Sequence, residues 1–218
     1  AFPRMIDVLA QLDGGLPNLH IGVVTSDMGT SASGSVSPGP AIGTPGTGGC
    51  AGRGDNGQLQ TTAGMSAAFL SDIKASDGTR NRNYTGELRD VFGQLARVGS
   101  GGCGFEQHLS AMRSALTSTT NVGFLRPDAN LAVVFLADED DCSASHAALF
   151  GPDSATLGPL QSFRCFQHGV TCDQSSSDVG TKTGCAPNAG AALVDDIEPF
   201  VAALLATKAD PSMVMVAA

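Results

Sequence analysis

The stretch Leu131–Ser143 reads LAVVFLADEDDCS, an apolar run that ends abruptly in Asp138, Glu139, Asp140 and Asp141. A short unbroken apolar run is typical of a strand buried on both faces, as in a parallel sheet covered by helices. Ligands of such sheets bind just beyond the carboxyl ends of the strands. Neighbouring carboxylates repel one another, and hard divalent cations prefer carboxylate oxygens. The stretch therefore indicates either a cation site or an acidic, solvated strand end.

The composition of the 218-residue chain narrows the classes of partner. Its net charge of −9 and pI near 4.6 argue against nucleic acid and against an anionic membrane surface. Trp is absent and Tyr84 is the only Tyr, so no aromatic platform exists for stacking bases or sugars. The length suits one domain with a sizeable core, and no membrane span is visible. Neither nucleic-acid binding nor membrane insertion by this segment is expected.

The cysteines are even in number and lie outside the apolar runs, at Cys50, Cys103, Cys142, Cys165, Cys172 and Cys185. This pattern favours a disulfide framework formed in an oxidising compartment, and the sequence leaves the pairing open. The chain begins with Ala1 and no export signal is visible, so a signal or lipid anchor is expected upstream. The expected location is extracellular, at the cell surface or periplasmic.

The apolar spacing predicts alternating helices and strands. In order, we expect a helix at Phe2–Leu12, a strand at His20–Thr25, a long Gly-rich loop at Met28–Gly57, a short element within Met65–Ile73, a helix at Thr85–Val98, a tight loop at Gly99–Gly104, a helix at Phe105–Leu116, a strand at Leu131–Ala137, an irregular stretch at Asp141–Gly190, a helix at Ala189–Lys208 and a strand from Met213. This alternation predicts an α/β, doubly wound, mainly parallel sheet with helices on both faces. Such a domain normally starts with a central strand, so both ends of this chain are expected to be cut.

Three strings carry a resemblance to a known family: GLPNLHIGVVTSDMG at 15–29, GCGFEQHLSAMRSAL at 102–116 and FLRPDANLAVVFLADEDDCSA at 124–144. The chain resembles the von Willebrand factor A-like (vWA) domains of secreted bacterial proteins of the myxobacterial type, over nearly its whole length. The resemblance implies a single Rossmann-like domain over 1–218 whose first central strand lies upstream. It also implies that 141–190 is a Cys-rich loop insertion.

The same resemblance implies a metal-ion-dependent adhesion site at the carboxyl edge of the sheet. Asp138 falls on the Asp that the family has at the end of its fourth strand. Ser100 is the only hydroxyl in the loop where the family has a Thr. The family's Asp-x-Ser-x-Ser loop is expected upstream of Ala1. Glu139, Asp140 and Asp141 are expected to set the local electrostatic field or to bind a second, calcium-like ion.

A second stretch, Asp141-Cys142-Ser143-Ala144-Ser145, also has the Asp-x-Ser-x-Ser pattern after a strand. Too few residues follow it to complete a vWA domain, so it is not expected to be the family's first loop.

The resemblance implies a protein-binding domain of adhesion type that holds Mg²⁺, Mn²⁺ or Ca²⁺ and accepts a carboxylate from its protein partner. Two alternatives stay open. A vWA-like scaffold without metal is favoured by the missing Thr. A metal-dependent hydrolase would need a base that the scattered histidines do not supply, and no Gly-x-Ser-x-Gly nucleophile elbow is present. With no catalytic constellation found, the chain is not expected to be an enzyme.

Five further features have a functional and a simpler interpretation. Cys165-x2-His168-x3-Cys172 has a spacing that zinc tolerates, but disulfide-bonded cysteines and a surface His are favoured. Arg53-Gly54-Asp55 matches an integrin-recognised tripeptide, and Asn83-Tyr84-Thr85 matches a glycosylation sequon; such short patterns often arise by chance. His108 either approaches the acidic residues or is an exposed helix residue. Asp27 either belongs to the acidic rim or caps a loop.

Overall fold

A computed structural model describes the backbone of residues 2–218 and the side chains from Pro3 onward. These residues form a mixed α/β structure that divides into two compact units. Unit 1 contains the residues up to Val24, together with Gln58–Gly99 and Ser118–Arg126. Unit 2 contains Thr25–Gly57, Ser100–Thr117 and Pro127–Ala218.

Unit 1 is a three-stranded antiparallel sheet with a pair of packed helices. Its elements are α1 (Phe2–Leu9), β1 (Leu19–Ile21), β2 (Leu70–Lys74), β3 (Arg80–Arg82) and α2 (Leu88–Leu95). The central strand β2 pairs with both β1 and β3, and α1 packs on α2. Helix α2 buries the apolar residues that recur at i, i+3, i+4 and i+7, namely Leu88, Val91, Phe92 and Leu95.

A buried charge network holds the strands of unit 1 together. Asp72 on β2 is 1% exposed, and its carboxylate accepts hydrogen bonds from Nε of Arg80 and from the hydroxyl of Tyr84. Nε of Arg82 lies 3.3 Å from the same carboxylate. Arg80 also donates to two main-chain carbonyls of the turn before β1, each at 2.8 Å. The buried charge is therefore paired and hydrogen-bonded, as burial requires.

Tyr84 allows this network to be probed by titration, because it is the only Tyr in the chain. Burial and the Asp72 carboxylate hold the pKa of the Tyr84 phenol above its ordinary value of about 10. The unfolded chain therefore loses this proton first. The resulting stabilisation is fully present below about pH 10 and is lost as the pH rises towards the folded-state pKa.

We expect phenolate absorbance to appear only as the protein unfolds. In Tyr84→Phe, the free energy of unfolding should fall less steeply with pH above about 10. A phenolate that formed at its ordinary pKa while circular dichroism still showed a folded chain would contradict this.

Unit 2 contains two small sheets and four helices. Its elements are α3 (His108–Thr117), β4 (Leu131–Val134), α4 (Ser154–Leu157), α5 (Phe163–Gly169), β5 (Val170–Thr171), β6 (Ala186–Pro187), α6 (Glu198–Leu205) and β7 (Val214–Ala217). β4 pairs in parallel with β7, β5 pairs antiparallel with β6, and α3 packs against α6. In the core, the ring of Phe105 meets that of Phe150 edge-on at 5.4 Å.

Three disulfides confirm the predicted framework: Cys50–Cys103, Cys142–Cys165 and Cys172–Cys185. The first two lie in the core of unit 2. The two cysteines of the zinc-like spacing therefore belong to different disulfides. Nε2 of His168, the third residue of that spacing, lies 3.4 Å from a main-chain carbonyl. A zinc site at this spacing is incompatible with the disulfide-bonded protein.

The buried guanidinium of Arg164 organises residues 149–159, which lie in the predicted irregular stretch. Arg164 on α5 is 1% exposed and donates hydrogen bonds of 2.7–3.4 Å to main-chain carbonyls. The acceptors are the carbonyls of Leu149, Gly151, Asp153, Gly158 and Pro159. Burial lowers the pKa of the guanidinium, partly offset by the nearby Asp153 carboxylate. The chain over 149–159 thus wraps around one side chain.

The predicted α/β class is confirmed. The strand predicted from Met213 is β7, and it pairs in parallel with β4, the strand that precedes the acidic run. That strand ends at Val134 instead of Ala137, and only Leu131 of its residues is buried. The expectation of burial on both faces is therefore wrong for β4. Among the described residues β4 has only β7 as a sheet partner, and the sheets have three, two and two strands. A doubly wound sheet stays a prediction.

The predicted helix at Ala189–Lys208 starts too early. Val194 forms an antiparallel bridge with Ala144, so this part of the chain is extended. Helix α6 begins only at Glu198, with a Pro in its first turn, where the fixed φ of Pro and its missing N–H are best tolerated.

Candidate functional site

The residues just before α3 join two acidic segments of unit 2. The N–H of Gln107 donates to the carbonyl of Ser26 at 3.0 Å, and the N–H of Cys142 donates to the carbonyl of Glu106 at 2.7 Å. The Glu106–Gln107 segment is therefore hydrogen-bonded on one side to Ser26, the residue before Asp27. On the other side it is hydrogen-bonded to Cys142, the residue that follows the acidic run 138–141.

The side chain of Gln107 completes this junction. It is 1% exposed; its Nε2 donates to the carbonyl of Ser31 and its Oε1 accepts from the N–H of Ala144, each at 3.1 Å. A donor and an acceptor on one short side chain are both used here, so Nε2 and Oε1 each have a main-chain partner. No pattern in the sequence assigns this role to Gln107. The available signal was an uncharged polar residue two positions after Phe105, at the start of a predicted helix.

Asp141, predicted to set the field or bind an ion, caps helix α3. Its Oδ1 accepts from the N–H of Leu109 at 2.9 Å, and its Oδ2 accepts from the N–H of Ser143 at 2.9 Å. The hydroxyl of Ser143 donates to Asp141 and accepts from the N–H of Ser110 at 2.8 Å. Two N–H groups of the first helical turn, which lack partners within the helix, are thereby satisfied. Asp141 and Ser143, the first two polar residues of the Asp-x-Ser-x-Ser pattern at 141–145, thus cap the amino end of α3.

The preceding acidic residues are placed very differently. Asp138, Glu139 and Asp140 are exposed, and in the part of the chain that the structure describes their side chains make no hydrogen bond or ion pair. Three successive carboxylates therefore face water, and no described Lys, Arg or His side chain pairs with them. No group of three or more His, Cys, Asp or Glu side chains among the described residues is arranged to hold a metal ion. The structure does not bring the four predicted acidic ligands into one cluster.

Ser100, the predicted hydroxyl ligand, is also exposed, at the start of a firmly held loop. The loop is fixed by the disulfide of Cys103 and by two hydrogen bonds of 3.2 Å. In one, the N–H of Gly48 donates to the carbonyl of Gly101, and in the other the N–H of Gly104 donates to the carbonyl of Gly48. The loop therefore has a defined backbone, which is what a loop ligand needs.

Asp27 lies beside this same loop. A Cβ on Gly102 would stand 3.3 Å from the Cβ of Asp27 and 3.5 Å from its Oδ2. Oδ1 of Asp27 accepts from the N–H of Gly29 at 2.8 Å, which is the capping role considered for it. Asp27 thus caps its own turn and adjoins the Gly-rich loop, and its place in the acidic rim stays a prediction.

His108 approaches acidic residues instead of facing solvent. Its side chain is 12% exposed, and its Nε2 lies 2.9 Å from Oε2 of Glu106 without hydrogen-bond geometry. Its Nδ1 lies 3.9 Å from Oδ1 of Asp141. The interpretation of His108 as an exposed helix residue is wrong.

The tripeptide and the sequon are both engaged in internal contacts. The carboxylate of Asp55 accepts from the hydroxyl of Thr25 at 2.6 Å, so the acidic end of the Arg-Gly-Asp pattern is held by its own chain. Oδ1 of Asn83 accepts from the N–H of Ser71, and Nδ2 donates to the carbonyl of Phe69, each at 2.7 Å. Both polar atoms of the Asn83 amide thus hold main-chain groups of the fold, so Asn83 has a structural role independent of the sequon.

Comparison of the chain with protein-family models, with curated proteins and with solved structures finds no match. Among the described helices, none has the length and apolar character needed to cross a membrane. The resemblance to vWA domains therefore rests on the three quoted strings, and the function has to be argued from the chemistry of the residues themselves.

Proposed function

We propose that this chain is a binding domain of vWA type that docks a protein partner through a divalent cation at the turn Asp138–Asp140. The observation that carries the proposal is the set of three successive exposed carboxylates with no partner among the described residues. Such a group attracts a cation at little desolvation cost, because its oxygens are already at the surface. The proposal includes a Rossmann-like, doubly wound sheet as the fold of this domain.

The available donors suit a hard cation. Asp138 supplies a carboxylate oxygen, Ser100 offers a hydroxyl, and Asp27 lies beside the loop that carries Ser100. Mg²⁺ typically keeps several waters and takes only one or two protein carboxylates. A bound cation would supply a positive site that accepts a carboxylate from the partner. Glu139 and Asp140 add negative potential around that site.

This role breaks no covalent bond. It needs an exposed acidic turn and a fixed neighbouring loop, and it does not need a nucleophile or a general base. Among the described contacts, His108 alone of the histidines approaches acidic side chains, and it does so beside the cap of α3. The three disulfides suit an oxidising location, so we place the domain outside the cytoplasm, as a secreted, surface or periplasmic protein.

A metal-free interaction scaffold is the second candidate. It is favoured by the use of Asp141 as a helix cap and by the lack of a converging group of ligands among the described residues. In that case the acidic turn would contact a basic surface of the partner directly, and binding would weaken as the salt concentration rises.

Substituting Asp138→Asn separates the two candidates. The side chain is exposed and makes no contact that holds the fold, so the melting temperature without metal should change little. We expect Mg²⁺, Mn²⁺ or Ca²⁺ to raise the Tm of the unmodified protein at constant ionic strength and to have no such effect on Asp138→Asn.

The matched control is Asp128→Asn, which removes the same charge from an exposed position before β4. Its metal response should be unchanged. An undiminished response in Asp138→Asn would remove Asp138 from the site. If none of the three cations affects the unmodified protein, the metal-free scaffold is the correct interpretation.

A further inference from the structure

Unit 2 has a crevice of about 350 Å³ between the loop that starts at Met28 and helix α3. This volume lies near the lower end of the range for small-molecule sites. Six hydroxyl side chains line it, those of Ser31, Ser33, Ser35, Ser110, Ser114 and Thr117. The crevice plays no part in the proposed cation site, since neither Asp138 nor Ser100 lines it.

The charge of the crevice is opposite to that of the protein. Its only charged lining residues are Arg53 and Arg113, whereas the whole chain carries a net charge of −9. Two guanidinium groups and a ring of hydroxyls form a polar concavity with no carboxylate in its lining. Such a concavity attracts an anion.

Arg113 is held in place without using its hydrogen-bond donors. Its guanidinium lies 4.5 Å from the centroid of the buried Phe200 ring, and its side chain is 28% exposed. Nη2 lies 3.9 Å from Oδ2 of Asp195, which is an ion-pair distance but too long for a hydrogen bond. Among the described contacts the guanidinium donates no hydrogen bond, although it has five N–H groups in a fixed fork.

Asp195 acts as a fixed support behind this arginine. Its Oδ1 accepts from the hydroxyl of Ser33 at 2.6 Å, while its Oδ2 is buried without a hydrogen-bond partner. Burial raises the pKa of this carboxyl, partly offset by Ser33 and Arg113. The carboxylate thus attracts the guanidinium from one side and leaves its N–H groups available to a ligand.

We propose that this crevice binds an oxyanion group, carboxylate or phosphate, of a small molecule. Arg113 is the forked donor. Arg53 is the second cation, since its one hydrogen bond within the described part of the chain, to the carbonyl of Val36, is long at 3.3 Å. The fork of an arginine matches both carboxylate and phosphate, which can each accept two parallel N–H bonds. Four of the six lining hydroxyls already donate within the protein. Ser35 and Ser110 donate no described hydrogen bond from their hydroxyls, so these two can donate to the remaining oxygens.

The test uses the intact oxidised protein with inorganic phosphate and citrate as probes, at constant ionic strength. Binding is followed by calorimetry and by amide chemical shifts. We expect saturable binding of at least one probe, with the shifts confined to the residues around the crevice. Arg113→Gln and Arg53→Gln should each weaken it at least tenfold. Binding of citrate alone would identify a carboxylate ligand, and binding of phosphate alone a phosphate ligand.

Arg97→Gln is the matched control, because Arg97 is exposed and does not line the crevice. Arg113 packs on Phe200, so the exposed Arg53 provides a variant whose folding is not at issue. The proposal is overturned if neither probe binds, or if Arg97→Gln weakens binding as much as Arg53→Gln does, which would indicate nonspecific attraction.

Discussion

Replacing Arg164 with Met should lower the free energy of unfolding by about 3–5 kcal/mol. The guanidinium donates to five main-chain carbonyls while being 1% exposed. Met fills a similar volume but leaves those carbonyls without their donor, and each unsatisfied buried carbonyl costs about 1–3 kcal/mol if water cannot reach it. Equilibrium unfolding in urea measures the loss directly.

Arg164→Lys should also destabilise the protein, though less than Met. Its ammonium keeps the charge but has three donors at one point in place of a planar fork. The control is Arg97→Met at an exposed position, where a change within about 0.5 kcal/mol is expected. An Arg164→Met protein as stable as the control would show that water or a rearranged 149–159 segment satisfies the carbonyls.

Removing the Cys50–Cys103 disulfide by a paired substitution to Ala should cost about 4 kcal/mol. The bond closes a loop with a sequence separation of 53 residues, and the chain-entropy relation gives about this value. Both cysteines are buried, so lost packing adds to the effect. The same bond fixes the loop that carries Ser100, so the variant should also weaken any cation response.

The comparison variant removes Cys172–Cys185, whose sequence separation is 13 residues and which joins exposed parts of the chain. The chain-entropy relation then gives about 3 kcal/mol, without the loss of core packing. Thermal unfolding of both variants beside the oxidised protein ranks the bonds. A larger loss for the shorter loop would contradict the expected ranking of these two bonds. An unchanged melting temperature after full reduction would contradict the expectation that the disulfides stabilise the fold.

The elements that could be predicted from the sequence are those with a local apolar pattern. The periodic residues of α2 and α3 and the pairing partners β4 and β7 were located to within a few residues, because their signals lie within one window of sequence. Strand β3 reads Arg-Asn-Arg and carries no apolar signal. It forms because Asp72 lies across from it on β2 and pairs with its arginines. Such a long-range reason is invisible in a local pattern.

In the candidate site, too, local features could be predicted from the sequence and long-range contacts could not. The acidic turn and the Gly-rich loop could be located from the sequence, since both are local features. The roles of individual carboxylates could not. A capping carboxylate and a metal-binding carboxylate present the same oxygens, and the N–H that Asp141 caps belongs to Leu109, 32 residues earlier. The crevice with Arg53 and Arg113 was missed because its residues are scattered along the chain.

The disulfide pattern bears on how the protein reaches its oxidised state. The bonds join consecutive cysteines in chain order: Cys50 with Cys103, Cys142 with Cys165 and Cys172 with Cys185. A ribosome releases the chain from its amino end. Among the cysteines of this segment, the second thiol of each pair therefore emerges when only its correct partner is still unpaired. An oxidase that acts on the growing or translocating chain would therefore produce the native set directly, and no shuffling enzyme would be required.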